Sequence, residues 1–99
     1  MYYIYLLLLS SNQIYTGFTT NLKRRLKEHI TGKVDSTKHR RPVKLIHYEA
    51  YLLKEDAYRR EKYLKTTEGK RFLKQQLKSL LMSISEKRSS CHPTGRPVE

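Results

Sequence analysis

Arg25 and His29 stand four residues apart in a segment, Leu22 to Ile30, whose apolar residues recur at helical spacing. At about 100° per residue, Leu22, Leu26 and Ile30 mark an inner stripe; His29 falls within about 20° of Leu22, and Arg25 about 60° to one side. Two polar side chains that are neighbours on a helix are thus expected on or beside its buried face, while Lys23, Arg24, Lys27 and Glu28 point to solvent. A later segment repeats the anomaly with the opposite charge. Ala57, Glu61 and Leu64 share one helical stripe, with Glu55 and Asp56 off it. An inward carboxylate costs several kcal/mol unless a cation compensates it. Glu61 therefore calls for Arg25 as a salt-bridge partner or for a divalent metal ion.

Phenols add to this set. The chain has eight tyrosines, two phenylalanines and no tryptophan. Tyr3 and Tyr5 share one side of a first strand, and Tyr15 can approach Tyr5 from the next strand of a hairpin. Gly17, two residues beyond Tyr15, removes a side chain on the same side, which in a strand marks close approach of a ligand or backbone, or a bulge. Together these groups suit phosphodiester hydrolysis, which needs an activated water, a cation at the developing charge and neutralisation of the leaving alkoxide. The arginine fork matches phosphate oxygens and stays protonated. A tyrosine or histidine can take the proton of the water, and a Mg2+ or Mn2+ that keeps most of its waters can be held by one carboxylate. With one carboxylate expected inward, a single ion is expected.

The elements that must hold these groups follow from the pattern along the chain. Met1 to Leu9 is apolar but lacks a preceding basic segment and a small-residue cleavage site, and it is far short of a bilayer span. It reads as a buried strand closed by Ser10-Ser11-Asn12-Gln13. Ile14 to Thr19 forms the second strand. Thr20 or Asn21 caps a helix to about Ile30, with Gly32 as its stop. A third strand runs from Val43 to Tyr51, a second helix from Lys54 to Lys65, and a third from Arg71 to about Leu81 after a break at Thr66-Thr67-Glu68-Gly69. The expected fold is α+β, order ββαβαα, with a mainly antiparallel three-stranded sheet in one domain over residues 1–81. Residues 82–99 read as a disordered polar tail.

Ninety-nine residues exclude a two-domain enzyme with a large cofactor cleft. A formal charge of +12 in so short a chain favours a polyanionic partner. The charge is uneven: residues 23–44 carry nine basic and two acidic side chains, a net +7. Lys33, Lys38, Arg40 and Arg41 lie in the turn-rich part of that segment, where they suit phosphate contacts that fix register without reading bases. The single cysteine, Cys91, suits a reducing compartment, and the expected location is the cytoplasm, with no membrane partner.

Tyr3-Ile4-Tyr5, then Ile14-Tyr15-Thr16-Gly17-Phe18-Thr19, then Asn21 to His29, in this order and spacing, resemble the GIY-YIG endonuclease superfamily. Arg60 to Lys65 is similar to its metal-binding helix, and the loop Ser36-Thr37-Lys38-His39-Arg40-Arg41-Pro42 to that of the small stand-alone bacterial members. The resemblance spans Tyr2 to about Leu81. It implies that Tyr5 and Tyr15 are the motif tyrosines, Tyr15 activating or orienting the water. Arg25 would lie against the scissile phosphate and His29 would position or deprotonate the nucleophile. Glu61 would ligate the metal, and Gly17 would let the backbone lie close to substrate. Tyr3 replaces a motif glycine, Thr16 a motif isoleucine and Phe18 a lysine of DNA-repair members, and no asparagine follows Glu61 near the last helix. The expected activity is divalent-metal-dependent cleavage of DNA, structured or single-stranded, in repair or processing, with RNA left open. The rival is a non-catalytic nucleic-acid-binding module of the same fold.

Overall fold

The computed structural model describes residues 1–88, with side chains to residue 84. Strand β1 (Tyr2–Leu8) is the centre of a three-stranded sheet ordered β2-β1-β3, with β2 (Ile14–Thr19) and β3 (Lys44–Tyr51) both antiparallel to it. Its central place explains the long apolar run: Ile4 to Leu9 are buried on both faces. The β1–β2 turn is closed by Leu9 N–H donating to the Gln13 carbonyl and Asn12 N–H to the Leu9 carbonyl, both 2.9 Å. Asn12 takes a positive φ of 70° there, a conformation asparagine tolerates better than most residues.

Alternation along β1 divides the core. Tyr5, Leu7 and Leu9 face helix α1 (Leu22–Ile30), packing with Leu22 and Leu26, while Ile4 and Leu6 face α2 (Lys54–Leu64) and α3 (Thr67–Gln76) through Ala57, Leu64 and Leu73. A bulge between Leu6 and Leu7 on the β3 side keeps this alternation while shifting register, so that Leu6 faces His47 and Leu7 faces Leu45. Helix α1 starts at Asn21, whose side chain accepts from the Arg24 N–H at 3.0 Å. It ends where Gly32, at φ 82°, lets its own N–H reach the His29 carbonyl and that of Lys33 the Glu28 carbonyl.

Four sequence expectations need correction. Ile30 is 54 % exposed, not part of the inner stripe of α1, because the helix turns its Leu22–Arg25–Leu26–His29 face to the sheet. The expected break after the second helix is present but confined to Lys65–Thr66, because Thr66 caps the next helix: its hydroxyl accepts from the Gly69 N–H at 3.0 Å, and a side chain at Gly69 would collide with the Tyr63 carbonyl. The expected helix from Arg71 to Leu81 is thereby two, α3 and α4 (Lys78–Arg88), joined at Leu77. Residues 82–88, read as tail, belong to α4; the rest of that tail, with Cys91, lies outside the described residues. Among the described residues no helix is long and apolar enough to cross a membrane.

Candidate active site

Four of the five side chains singled out by type and spacing form one packed cluster on the α1 face. The Tyr5 hydroxyl lies 2.8 Å from His29 Nε2, and Arg25 Nε donates to the same hydroxyl at 3.4 Å. His29 Nδ1 lies 2.8 Å from Thr37 Oγ1. Arg25 donates to the phenol oxygen, and the two ring nitrogens of neutral His29 bridge Tyr5 and Thr37, one as donor and the other as acceptor. The Tyr15 ring completes the group, 5.2 Å from the His29 ring and 6.3 Å from that of Tyr5. Its position follows from sheet register: Tyr5 faces Gly17 and Leu7 faces Tyr15, so the two tyrosines are diagonal neighbours on one face.

Exposure separates the members. Tyr5 and His29 are buried, at 1 % and 0 % exposure, whereas Tyr15 is half-buried and its oxygen accepts from the Ser36 hydroxyl at 3.4 Å. Arg25 is 36 % exposed and also donates to Glu28 at 3.0 Å. Glu28 was expected to point to solvent; it lies beside Arg25 because i, i+3 residues are neighbours on a helix. Gly17 is buried and its missing Cβ is replaced by the Tyr5 phenol, which a methyl group there would strike. The strand glycine thus makes room for a side chain of the cluster.

Burial pushes the Tyr5 phenol above its ordinary 10.0, opposed by the Arg25 hydrogen bond and aided by the nearby Tyr15 and, least, by Glu61. Burial, then the Arg25 charge, push His29 below 6.5, so it is a neutral base at neutral pH. The sign of the stability effect follows. Between 6.5 and the lower folded value, the unfolded chain binds the extra proton, so unfolding free energy rises with pH. The His29 contribution is full above about pH 6.5 and declines as acid is added. Melting temperatures measured from pH 7.5 downward are expected to start falling near pH 6.5 in wild type and to be flatter from there to pH 5 in His29→Gln; identical profiles would overturn this.

Glu61 stands apart from the hydrogen-bonded cluster. Its carboxylate is 20 % exposed and accepts from Lys65 Nζ at 3.1 Å. The salt bridge to Arg25 considered from sequence is absent among the described residues, Arg25 being engaged by Tyr5 and Glu28. Lys65 is 57 % exposed and can yield its place to another cation. Among the described residues no three of His, Cys, Asp or Glu gather as a metal cage. One carboxylate oxygen donor suits a hydrated Mg2+ or Mn2+ that draws its other ligands from water and phosphate.

A second inward acid was missed. Glu49 on β3 is 17 % exposed and accepts from Arg60 Nε and its terminal amino group at 2.9 and 3.1 Å and from the Tyr51 hydroxyl at 2.7 Å, with His47 Nε2 at 3.1 Å. Burial works to raise its pKa, but these hydrogen bonds, Arg60 foremost, leave it below 4.5; Tyr51 is pushed up to about 12 by burial and by that carboxylate. The network lies on the α2 face, pairs its charges internally and ties β3 to α2. Thr37 was also missed as a site residue, since a loop hydroxyl has no periodicity to reveal its direction.

Thr37 and Val34 are buried and anchor the basic loop against the cluster. Lys33 is exposed, Lys38 pairs with Asp35 at 3.4 Å, and Arg40 donates to Gln13 at 3.2 Å. Arg41 lies over Gly32 and donates to the Lys38 and Ile30 carbonyls, which commits it to closing the end of α1.

Residues 1–77 match the family model described as the GIY-YIG catalytic domain. A UPF0213 protein from Staphylococcus haemolyticus is 40% identical over 74 residues, covering 74% of this chain and 90% of its own length. Another, from Streptococcus agalactiae, is 47% identical over 64 residues, covering 64% and 73%. The solution NMR structure of a UPF0213 protein from Bacillus halodurans is 38% identical and spans 81% of this chain and 85% of its own, with a TM-score of 0.49. With both tyrosine motifs, Arg25 and Glu61 inside the matched span, the chain belongs to the GIY-YIG domain family, a nuclease superfamily, among its UPF0213 members.

Proposed function

We propose that the chain is a divalent-metal-dependent endonuclease that hydrolyses phosphodiester bonds in DNA. The observation that carries this reading is the hydrogen-bonded chain Arg25–Tyr5–His29–Thr37. A guanidinium held by a buried phenol and a neutral imidazole is pre-oriented, and two of its five N–H donors are used, one by Tyr5 and one by Glu28. The others can take the non-bridging oxygens of a phosphate, whose extra negative charge in the transition state Arg25 stabilises. Tyr15, the phenol at the rim, orients the attacking water. The water oxygen forms the new bond to phosphorus as the bond to the leaving alkoxide breaks, and the half-buried Tyr15 phenol relays the water proton to solvent. Glu61 would hold the single cation, which supplies neutralisation of the leaving oxygen. Tyr5 and His29, sealed from solvent, act chiefly by fixing Arg25 and Tyr15.

The test is cleavage of end-labelled single-stranded, duplex and branched DNA in Mg2+, in Mn2+ and in chelator. Cutting is expected only with metal, and Glu61→Ala is expected to abolish it while retaining DNA binding. If wild type binds these substrates and cuts none, the chain is a non-catalytic nucleic-acid-binding module.

A further inference from the structure

Among the described residues no strand pairs with the outer edge of β2. Beside it runs an open groove of about 450 Å³, bounded on one side by Tyr15 and on the other by α3. Its floor includes Leu64 and Leu73, and Arg40, Lys70 and Lys74 line it together with uncharged residues; no carboxylate does. Arg40 comes from the basic loop, whereas the two lysines come from a helix that the charge pattern did not implicate.

We propose that this groove is a strand track: it holds the sugar–phosphate backbone of a nucleic acid on one side of the scissile phosphate, with Arg40, Lys70 and Lys74 contacting phosphates. The inference rests on the nuclease reading and adds to it where the bound strand runs. Continuity with the site is the first support. Tyr15 belongs to both the groove and the tyrosine–histidine cluster, and Leu64 lies one helical turn from Glu61 on α2. A strand leaving the Arg25 and Glu61 side chains therefore meets this groove. The second support is charge. Lys70 and Lys74 are i, i+4 neighbours on α3, a like-charge spacing that destabilises a helix. No described carboxylate pairs with either. A polyanion relieves that repulsion and releases its own counterions on binding. The third is the mixed lining: an apolar floor beside cations accepts the flat face of a nucleotide while its phosphate is held at the rim.

The test uses the full chain with a fluorescein-labelled DNA oligonucleotide in chelator, so that binding is read without cutting. Lys70→Gln/Lys74→Gln is expected to weaken binding about tenfold or more at low salt. The slope of log affinity against log salt should shrink by roughly 1.4, about 0.7 for each single-strand phosphate that a lysine no longer neutralises. Lys54→Gln/Lys62→Gln removes the same charge from α2 and is expected to change both quantities little. Equal effects of the two pairs, or none from Lys70→Gln/Lys74→Gln in a variant that melts like wild type, overturn the track. Loss of binding to phosphatidylserine vesicles with oligonucleotide binding unchanged overturns it in favour of a membrane surface. In Mg2+, the groove variant is expected to raise KM with kcat kept. If wild type cuts and the variant binds and cuts equally well, the track fails and the nuclease stands. If wild type cuts nothing while the variant's binding falls as stated, the nuclease reading fails and the groove remains a nucleic-acid site.

Discussion

Arg25→Ala is expected to reduce single-turnover DNA cleavage by about 10³-fold, the scale of losing one preorganised charge stabiliser, or roughly 4 kcal/mol of transition-state stabilisation. DNA affinity should change only a few-fold, since the basic loop and the rest of the +12 charge remain. Arg25→Lys is expected to recover little. Lysine keeps the charge but presents a point cation in place of the Nε–H that meets the Tyr5 hydroxyl and the second arm that meets Glu28. Tyr5→Phe, which removes the anchor and leaves the guanidinium, is expected to fall between wild type and Arg25→Ala. Cleavage by Arg25→Ala within tenfold of wild type, on a substrate that wild type cuts, would remove arginine from the reaction.

Gly17→Ala is expected to destabilise the chain by about 1–3 kcal/mol in urea unfolding, as overpacking of a core does. The added methyl would occupy the space of the Tyr5 phenol, itself 1 % exposed and hydrogen-bonded on two sides. Tyr5→Ala alone is expected to cost about 3–5 kcal/mol through the cavity it leaves. In the double variant the methyl enters that cavity, so the cost of Gly17→Ala should largely vanish. The coupling energy would then equal most of the single-site cost. The substitution should also lower cleavage, because a displaced Tyr5 releases Arg25. A neutral Gly17→Ala, or additive energies in the double variant, would mean that the phenol shifts freely and that the glycine serves the substrate instead.

Much of the fold was legible because its signals are local. The apolar run of β1, the polar turn with Asn12, the Asn21 cap and the Gly32 stop each constrain the backbone by its own residues, and each stands where the pattern put it. The break after α2 was legible, but its extent was overestimated because a threonine cap and a break share the same residue types. Only the packing of Gly69 against the Tyr63 carbonyl distinguishes them. Ile30 was misplaced because helical periodicity gives relative angles within α1 and not the direction from which the sheet approaches.

The candidate site divides in the same way. Residue types and spacing by themselves determined that Arg25 and His29 share one helix face, that Tyr5 and Tyr15 can meet in a hairpin, and that Glu61 belongs to an inward stripe. Tertiary structure alone decided which of these touch. Strand register set Tyr5 opposite Gly17, loop anchoring brought Thr37 to His29, and the α2 docking gave Arg60 to Glu49. The physical reason is that a periodicity specifies a direction from one element's axis, whereas a hydrogen bond needs the distance and angle between two elements, which only their packing in three dimensions supplies.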